Sequence, residues 1–275
     1  MIPQVQDNAF LLSFYCKFIT LVTTTMEVHH HAHTARKKWT HYFWEFLMLF
    51  LAVFCGFLAE NQREHIVEHQ REKVFMKSMI IDLGNDTAHF NLSYRGIFFM
   101  VKHIDSLTAL LAKPEEMQIH ANEIYRHQVM ISLYYKVIYT DRTIAQLKNS
   151  GNFRLIRKSN VSDAIIAYDI YVRNYVIQMQ DDYLWLESNK LWDVSNQVFK
   201  SSVFRNWLKK GFQNNVVELP DPPYFLSTEK SKIDNYINHL QTYAVASEWF
   251  LQNLKSAVQQ AVHLDSMVKQ SYHFE

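Results

Sequence analysis

The sequence contains few of the residues that form tight turns. Only five glycines and five prolines occur in 275 residues. All-β sandwiches and doubly wound α/β folds need frequent turns, so this scarcity argues against both classes. Hydrophobic residues make up 48% of the chain and charged residues 20%, which excludes a disordered tail. The long stretches between glycines and prolines are therefore free to form helices.

Cysteine and net charge are also low. Two cysteines cannot build a disulfide scaffold or a four-cysteine zinc site. A formal net charge of +1 gives no basic field for nucleic acid, and we predict no nucleic-acid partner. The sequence lacks a P-loop, a G-x-G-x-x-G fingerprint and a G-x-S-x-G nucleophile elbow. We predict no cofactor and no catalytic residue.

One apolar run, from Tyr42 to Ala59, has the length that a helix needs to cross a bilayer, about 20 residues. It contains a single charged residue, Glu45. We predict one transmembrane helix over residues 39–60, with the lipid bilayer as a partner. The alternative is the buried core helix of a soluble protein. The run favours a membrane span because it is apolar around its whole circumference.

The charges that flank this run predict its orientation. Arg36, Lys37 and Lys38 precede it, whereas acidic and basic residues alternate after Glu60. The positive-inside rule then places the N-terminal tail, residues 1–38, in the cytoplasm and the rest of the chain outside.

Residues 1–25 leave two alternatives open. Their apolar stretch from Ala9 to Val22 is short for a span and is interrupted by Lys17. Either these residues belong to the protein as an interfacial or signal-like segment, or they are a mis-assigned extension before Met26.

The remainder of the chain carries helical periodicity. Apolar positions from Met76 to Leu111 alternate in steps of four and three, which is typical of a heptad seam. Further helical stretches are predicted over about 115–149, from about 159 to near 199, and from Ser227 onward. We therefore predict an all-α fold: a helical stalk over 61–75, then an up-and-down four-helix bundle over 76–275 with an irregular loop at 201–226.

Several segments resemble one family of uncharacterised bacterial single-pass membrane proteins. The segments are Met26–His33, Arg36–Trp39, Trp44–Val53, Ala59–Glu64, Asp141–Gly151 and Arg154–Ile156. The resemblance extends from Met26 to near the C-terminus, and residues 1–25 depart from it. It implies an anchor with a helical domain of unknown function and transfers no catalytic residue. With the charge bias, it predicts a bacterial inner-membrane protein whose C-terminal domain is periplasmic.

Two histidine groups are weak candidates for metal binding. The first is the dense cluster His29, His30, His31 and His33, since neutral imidazoles bind Zn, Cu or Ni. The second is His65–His69, which matches an H-x-x-E-H metallopeptidase pattern through His65, Glu68 and His69. The alternatives are a solvated basic tail beside anionic headgroups and ordinary pairing of neighbours on a helix surface.

Two polar groups are candidates for contact with a partner. Glu45 is an ionisable residue inside the predicted span, one turn after His41 and flanked by Trp39 and Trp44. The second group is a polar patch of Arg142, Gln146, Lys148 and Arg154, for which helix capping and turn chemistry is the favoured alternative.

These features predict a non-enzymatic protein of the bacterial envelope that senses a signal or binds and scaffolds a partner. The partner would be another protein or a second copy of the chain, contacting the bundle or the transmembrane helix. The alternative function is a metal-binding protein or metal-dependent enzyme that uses one of the two histidine groups.

Overall fold

The computed structural model of the chain describes residues 39–133, 135–209, 217 and 219–274. Every regular element among these residues is a helix, so the predicted all-α class is confirmed. The chain divides after Arg63 into two compact units, and each is described by itself below. The packing of four helices into an up-and-down bundle stays a prediction.

The first helix, α1, runs from Trp39 to Leu111 over 73 residues. It is uninterrupted because no proline occurs between Pro3 and Pro114. Within the second unit its buried side includes Met76, Leu83 and Phe90. These residues follow the predicted heptad. Ile97, Val101, Ile104 and Leu111 are also buried as the heptad predicts, but two core positions fall one residue earlier, at Met79 and Asp86 rather than at Ile80 and Thr87.

The stretch predicted as one helix over about 115–149 forms two short helices. These are α2 (Ala121–Ile131) and α3 (Arg142–Asn149), separated by irregular chain. Within this irregular chain, the four residues from Val137 to Thr140 are β-branched or aromatic. Such residues are poorer helix formers than alanine or leucine. After α3, Gly151 adopts the left-handed conformation with φ of 65°, which is typical of the glycine that follows a helix C-terminus.

The next helical stretch changes its pitch. The α-helix α4 (Ser159–Tyr171) continues into π-helical turns at Val172–Ile177 and Met179–Leu184, and then into α5 (Trp185–Ser195). The π-helical turn is rare in proteins and widens the helix locally.

The last two helices are α6 (Ser201–Lys209) and α7 (Lys230–Tyr272). The first of them occupies the beginning of the segment 201–226, which differs from the irregular loop predicted there. It forms because Val203 and Trp207, one turn apart, are both buried. The 43-residue α7 packs along α4, the π-helical turns and α5.

An aromatic cluster fills the core beneath α2. The ring of Tyr125 lies 5.3 Å from those of Phe199 and Phe225, and Tyr236 packs on Phe199 at 5.4 Å. The Tyr125 hydroxyl donates a hydrogen bond to the Tyr224 carbonyl and accepts one from the Lys200 N–H. Its polar end is therefore satisfied although the ring is buried.

Two glycines of α1 have contrasting surroundings. A Cβ atom built on Gly96 would lie 2.2 Å from the ring of Tyr135, so the close approach of that ring requires a glycine. A Cβ on Gly84 would meet no atom within 4 Å.

We expect Gly96→Ala and Gly84→Ala to change stability in opposite directions. Overpacking against Tyr135 should lower the free energy of unfolding by about 1–3 kcal/mol. The matched Gly84→Ala variant should raise it by about 0.5–1 kcal/mol, because alanine is the better helix former. Denaturant titration of both full-length variants, followed by circular dichroism, measures the difference. Equal effects of the two substitutions would contradict the close contact at Gly96.

Candidate functional site

Three carboxylates lie on the buried side of α1, where water does not reach them. Glu72, Asp82 and Asp86 are each no more than 2% exposed. A fourth carboxylate, that of Asp169 on α4, is 1% exposed. A buried carboxylate is costly unless hydrogen bonds or cations compensate for its lost hydration. The partners of these four groups therefore define the most unusual chemistry in the described residues.

Asp82 binds the first turn of α3. Its carboxylate accepts hydrogen bonds from the Thr143 N–H at 2.9 Å, the Thr143 hydroxyl at 2.5 Å and the Arg142 guanidinium at 2.7 Å. The residue that precedes α3, Asp141, makes no capping hydrogen bond with its side chain. Asp82 thus supplies the cap of α3 from another helix, and its negative charge interacts favourably with the positive N-terminal end of the α3 dipole.

Asp86, one turn further along α1, holds the irregular chain that precedes α3. It accepts hydrogen bonds from the Thr140 N–H and the Tyr168 hydroxyl, both at 2.7 Å. No cation contacts it among the described residues. Burial raises the pKa of Asp86 to about 6, and the hydrogen bonds from Tyr168 and Thr140 only partly offset that effect.

Asp169 lies in a more strongly compensated environment. Its partners are the Lys148 ammonium, the Tyr139 hydroxyl at 2.7 Å and the Arg173 guanidinium at 2.9 Å. Burial favours a higher pKa, but these hydrogen bonds and positive charges outweigh it and hold the pKa of Asp169 below its ordinary value. Arg173, in the first π-helical turn after α4, also binds Asp141 at 2.6 Å and so joins that turn to the start of α3.

Glu72 has a similar role, and one of its partners, Tyr272, lies near the C-terminal end of the chain. It accepts hydrogen bonds from the Arg157 N–H and the Tyr272 hydroxyl, and lies 3.2 Å from Nδ1 of His69. Burial raises the pKa of the Tyr272 hydroxyl, which keeps it protonated and able to donate. Glu72 therefore joins α1 both to the chain that precedes α4 and to the last turn of α7.

The four carboxylates together form a network that fastens the connecting segments to the long helices. Each carboxylate is occupied by donors from within the chain. The tyrosines Tyr139 and Tyr168 stay protonated because burial and the neighbouring carboxylates raise their pKa values. This pattern fits positioning of the backbone better than proton transfer to a substrate.

A shallow cavity of about 460 Å³ lies beside this network, between the irregular chain before α3 and the π-helical turns. Lys136, Asp141, Arg173 and Asp181 supply its charges. Buried Gln180 fixes one wall, because its side-chain oxygen accepts a hydrogen bond from the Val137 N–H at 2.7 Å. The charges are balanced in sign, so they do not define a class of ligand.

The predicted polar patch is only partly brought together. Arg142 and Lys148 bind the buried carboxylates of Asp82 and Asp169. The side chains of Gln146 and Arg154 are exposed. The sequence prediction identified the cations Arg142 and Lys148. It missed all four buried carboxylates, including the two that these cations bind. A usable signal was present for Asp82 and Asp86, since these acids occur one turn apart within an otherwise apolar helical seam.

The predicted span lies within the first unit. The part of α1 that is long and apolar enough to cross a membrane, judged by length and composition, has none of its residues buried. Nε2 of His41 lies 3.2 Å from the Glu45 carboxylate. Both line a surface groove with Trp44 and Met48, and Trp39 is 83% exposed.

The metal candidates remain predictions. His29, His30, His31 and His33 lie outside the described residues. His65 and His69 lie one turn apart on α1, where the Arg157 guanidinium donates to the His65 carbonyl at 3.1 Å. Within the described part of the chain, no group of three or more His, Cys, Asp or Glu side chains is placed to hold a metal ion.

Comparison of the chain with protein-family models, curated proteins and solved structures finds no match. The resemblance to a family of bacterial membrane proteins therefore stays a prediction.

The environment of Asp86 predicts a specific pH dependence. Its pKa is raised on folding, so between about pH 4 and pH 6 the folded chain binds more protons than the unfolded chain. Rising pH should therefore lower the free energy of unfolding of the wild type relative to Asp86→Asn, by about 2–3 kcal/mol in total. Denaturant titrations of both proteins from pH 4 to pH 7 measure this change.

Asp169→Asn provides the matched control. The pKa of Asp169 is lowered on folding, so its stabilisation is present at neutral pH and is lost as the pH falls below about 4. The two variants should differ from the wild type with opposite pH trends, that of Asp86→Asn between about pH 4 and pH 6 and that of Asp169→Asn in titrations extended below about pH 4. A pH-independent difference between the wild type and Asp86→Asn would contradict the assigned environment.

Proposed function

We propose that this chain is a single-pass, membrane-anchored helical protein that acts without catalysis, by sensing a signal or binding a partner at the bacterial inner membrane. The observation that carries the proposal is the apolar stretch of α1, none of which is buried within the chain. Burying that surface in lipid removes it from water, whereas a soluble protein would leave it fully exposed.

The described helical domain supports a non-catalytic role. Its buried carboxylates bind the backbone and side chains of connecting segments, as the contacts of Asp82 and Asp169 illustrate. Groups committed in this way hold a shape and are not available to a substrate. The finer architecture that we propose is an up-and-down four-helix bundle of long helices that follows the anchor.

The orientation that we propose rests on sequence. Arg36, Lys37 and Lys38 before the span favour a cytoplasmic N-terminus and a periplasmic C-terminal domain. His41 and Glu45, paired near the start of the span, form a polar site within it. Ionisable groups at such depth usually face another helix rather than lipid, so we propose this pair as a contact point for a protein partner or a second copy.

Membrane insertion is tested by carbonate extraction of bacterial membranes. We expect the wild-type chain to remain in the membrane pellet and the double variant Leu49→Arg with Val53→Arg to be released. Each arginine costs about 2.5–3.5 kcal/mol at the centre of an inserted helix. The control Val245→Arg with Val262→Arg changes similarly exposed residues of α7 and should stay in the pellet. Complete extraction of the wild type would overturn the anchor.

Topology is tested by fusing alkaline phosphatase or a fluorescent protein after Glu275. We expect phosphatase activity without fluorescence, because the domain is proposed to be periplasmic. Fluorescence without phosphatase activity would reverse the orientation while leaving the anchor intact.

A further inference from the structure

Within the second unit, α1 carries an apolar stripe that no part of the described chain covers. Its members are Val74, Ile81, Leu92 and Phe99, which are 63%, 58%, 62% and 53% exposed. We call these four residues the outward stripe. Their spacings of seven, eleven and seven residues place them within about 20° of one another around the helix axis.

The outward stripe lies on the opposite side of α1 from its core seam. The core seam contains Met76, Leu83 and Phe90, each almost fully buried. Met76 and Leu83 lie two residues after Val74 and Ile81, and Phe90 lies two residues before Leu92. Two residues correspond to about 200° of helix rotation. The core seam and the outward stripe are therefore two apolar faces of one helix, and the rest of the described domain covers only the core seam.

We propose that the outward stripe is the interface through which two copies of the chain form a parallel, membrane-tethered dimer. Spacings of seven and eleven residues are sums of the alternating four- and three-residue steps of a heptad seam. A seam of this kind along 26 residues matches a partner helix that runs alongside, not a compact ligand. This inference rests on the proposed anchor: copies inserted in the same direction present α1 in parallel, so identical residues face each other.

Of the two polar residues beside the stripe, Asn85 fits a second copy and Arg95 limits the length of the contact. Asn85 lies between Ile81 and Leu92 and is exposed. A single asparagine in such a seam can pair with its copy and fix the register of a parallel dimer. Arg95 lies between Leu92 and Phe99 and would face its own copy, so we assign the tight contact to residues 74–92. That contact contains three apolar residues of each copy, whereas a standard interface has roughly 20–30 residues on each side. Tethering in one membrane compensates by raising the effective concentration.

Cysteine cross-linking in isolated membranes tests the dimer. In a background of Cys16→Ser with Cys55→Ser, single variants Ile81→Cys, Asn85→Cys and Leu92→Cys are oxidised with copper phenanthroline. We expect a disulfide-linked species of twice the chain's mass, with a yield at least about fivefold above that of Val262→Cys. That control is on α7 and has comparable exposure.

Glutamate substitutions in the outward stripe provide a second test of the dimer. Adding Ile81→Glu and Leu92→Glu to the Asn85→Cys reporter should abolish the dimer band, whereas adding Val245→Glu and Val262→Glu should leave it. Circular dichroism verifies that helix content is unchanged. Persistence of the band after the first pair, equal cross-linking at Val262, or a product of another mass would overturn the dimer.

Fractionation separates failure of the dimer from failure of the anchor. A chain that stays in the membrane pellet but gives no dimer band overturns the dimer alone. A chain found in the soluble fraction overturns the anchor, and the parallel dimer falls with it.

Discussion

The domain depends on burying carboxylates without water. Each of these groups must receive hydrogen bonds or positive charge from the chain, and the donors come from segments distant in sequence: the start of α3, the chain before α4 and the end of α7. Removing one donor would leave a charge uncompensated in the core, which is more costly than the pair is stabilising. The short connections are thus fixed in place by the long helices, and the irregular chain between Val137 and Thr140 has a defined path although it forms no helix.

The surfaces that remain outside this network differ in kind. The apolar stretch of the first unit is apolar around the whole helix and has none of its residues buried. The exposed apolar residues of α1 in the second unit are instead interspersed with polar residues: Val74, Ile81, Leu92 and Phe99 form the outward stripe, whereas Ile66 and Phe98 lie elsewhere around the axis. The two stretches of this one helix therefore differ in how far around its axis the apolar residues extend.

The all-helical class followed from the sequence because scarce glycine and proline, together with long periodic runs, leave few alternatives. The break between α2 and α3 was not predicted, because the residues from Val137 to Thr140 are only weakly unfavourable in a helix. Two of their backbone N–H groups bind the side chains of Gln180 and Asp86, which are distant in sequence. The carboxylate network was missed for a related reason. The alternation of four and three placed Thr87 in the core seam, whereas Asp86 occupies that position. Hydrophobic periodicity assigns core positions to apolar residues and cannot recognise an acid whose partners lie elsewhere in the chain.

The capping of α3 by Asp82 has a consequence for the order in which the chain acquires structure. An eight-residue helix is too short to persist in water alone, and this one has no capping side chain at its own N-terminus. Its cap lies 61 residues upstream, on a helix that leaves the ribosome first. We therefore expect α3 to form only after that part of α1 is already helical, so the earliest-made segment of the domain acts as a template for the segments synthesised after it.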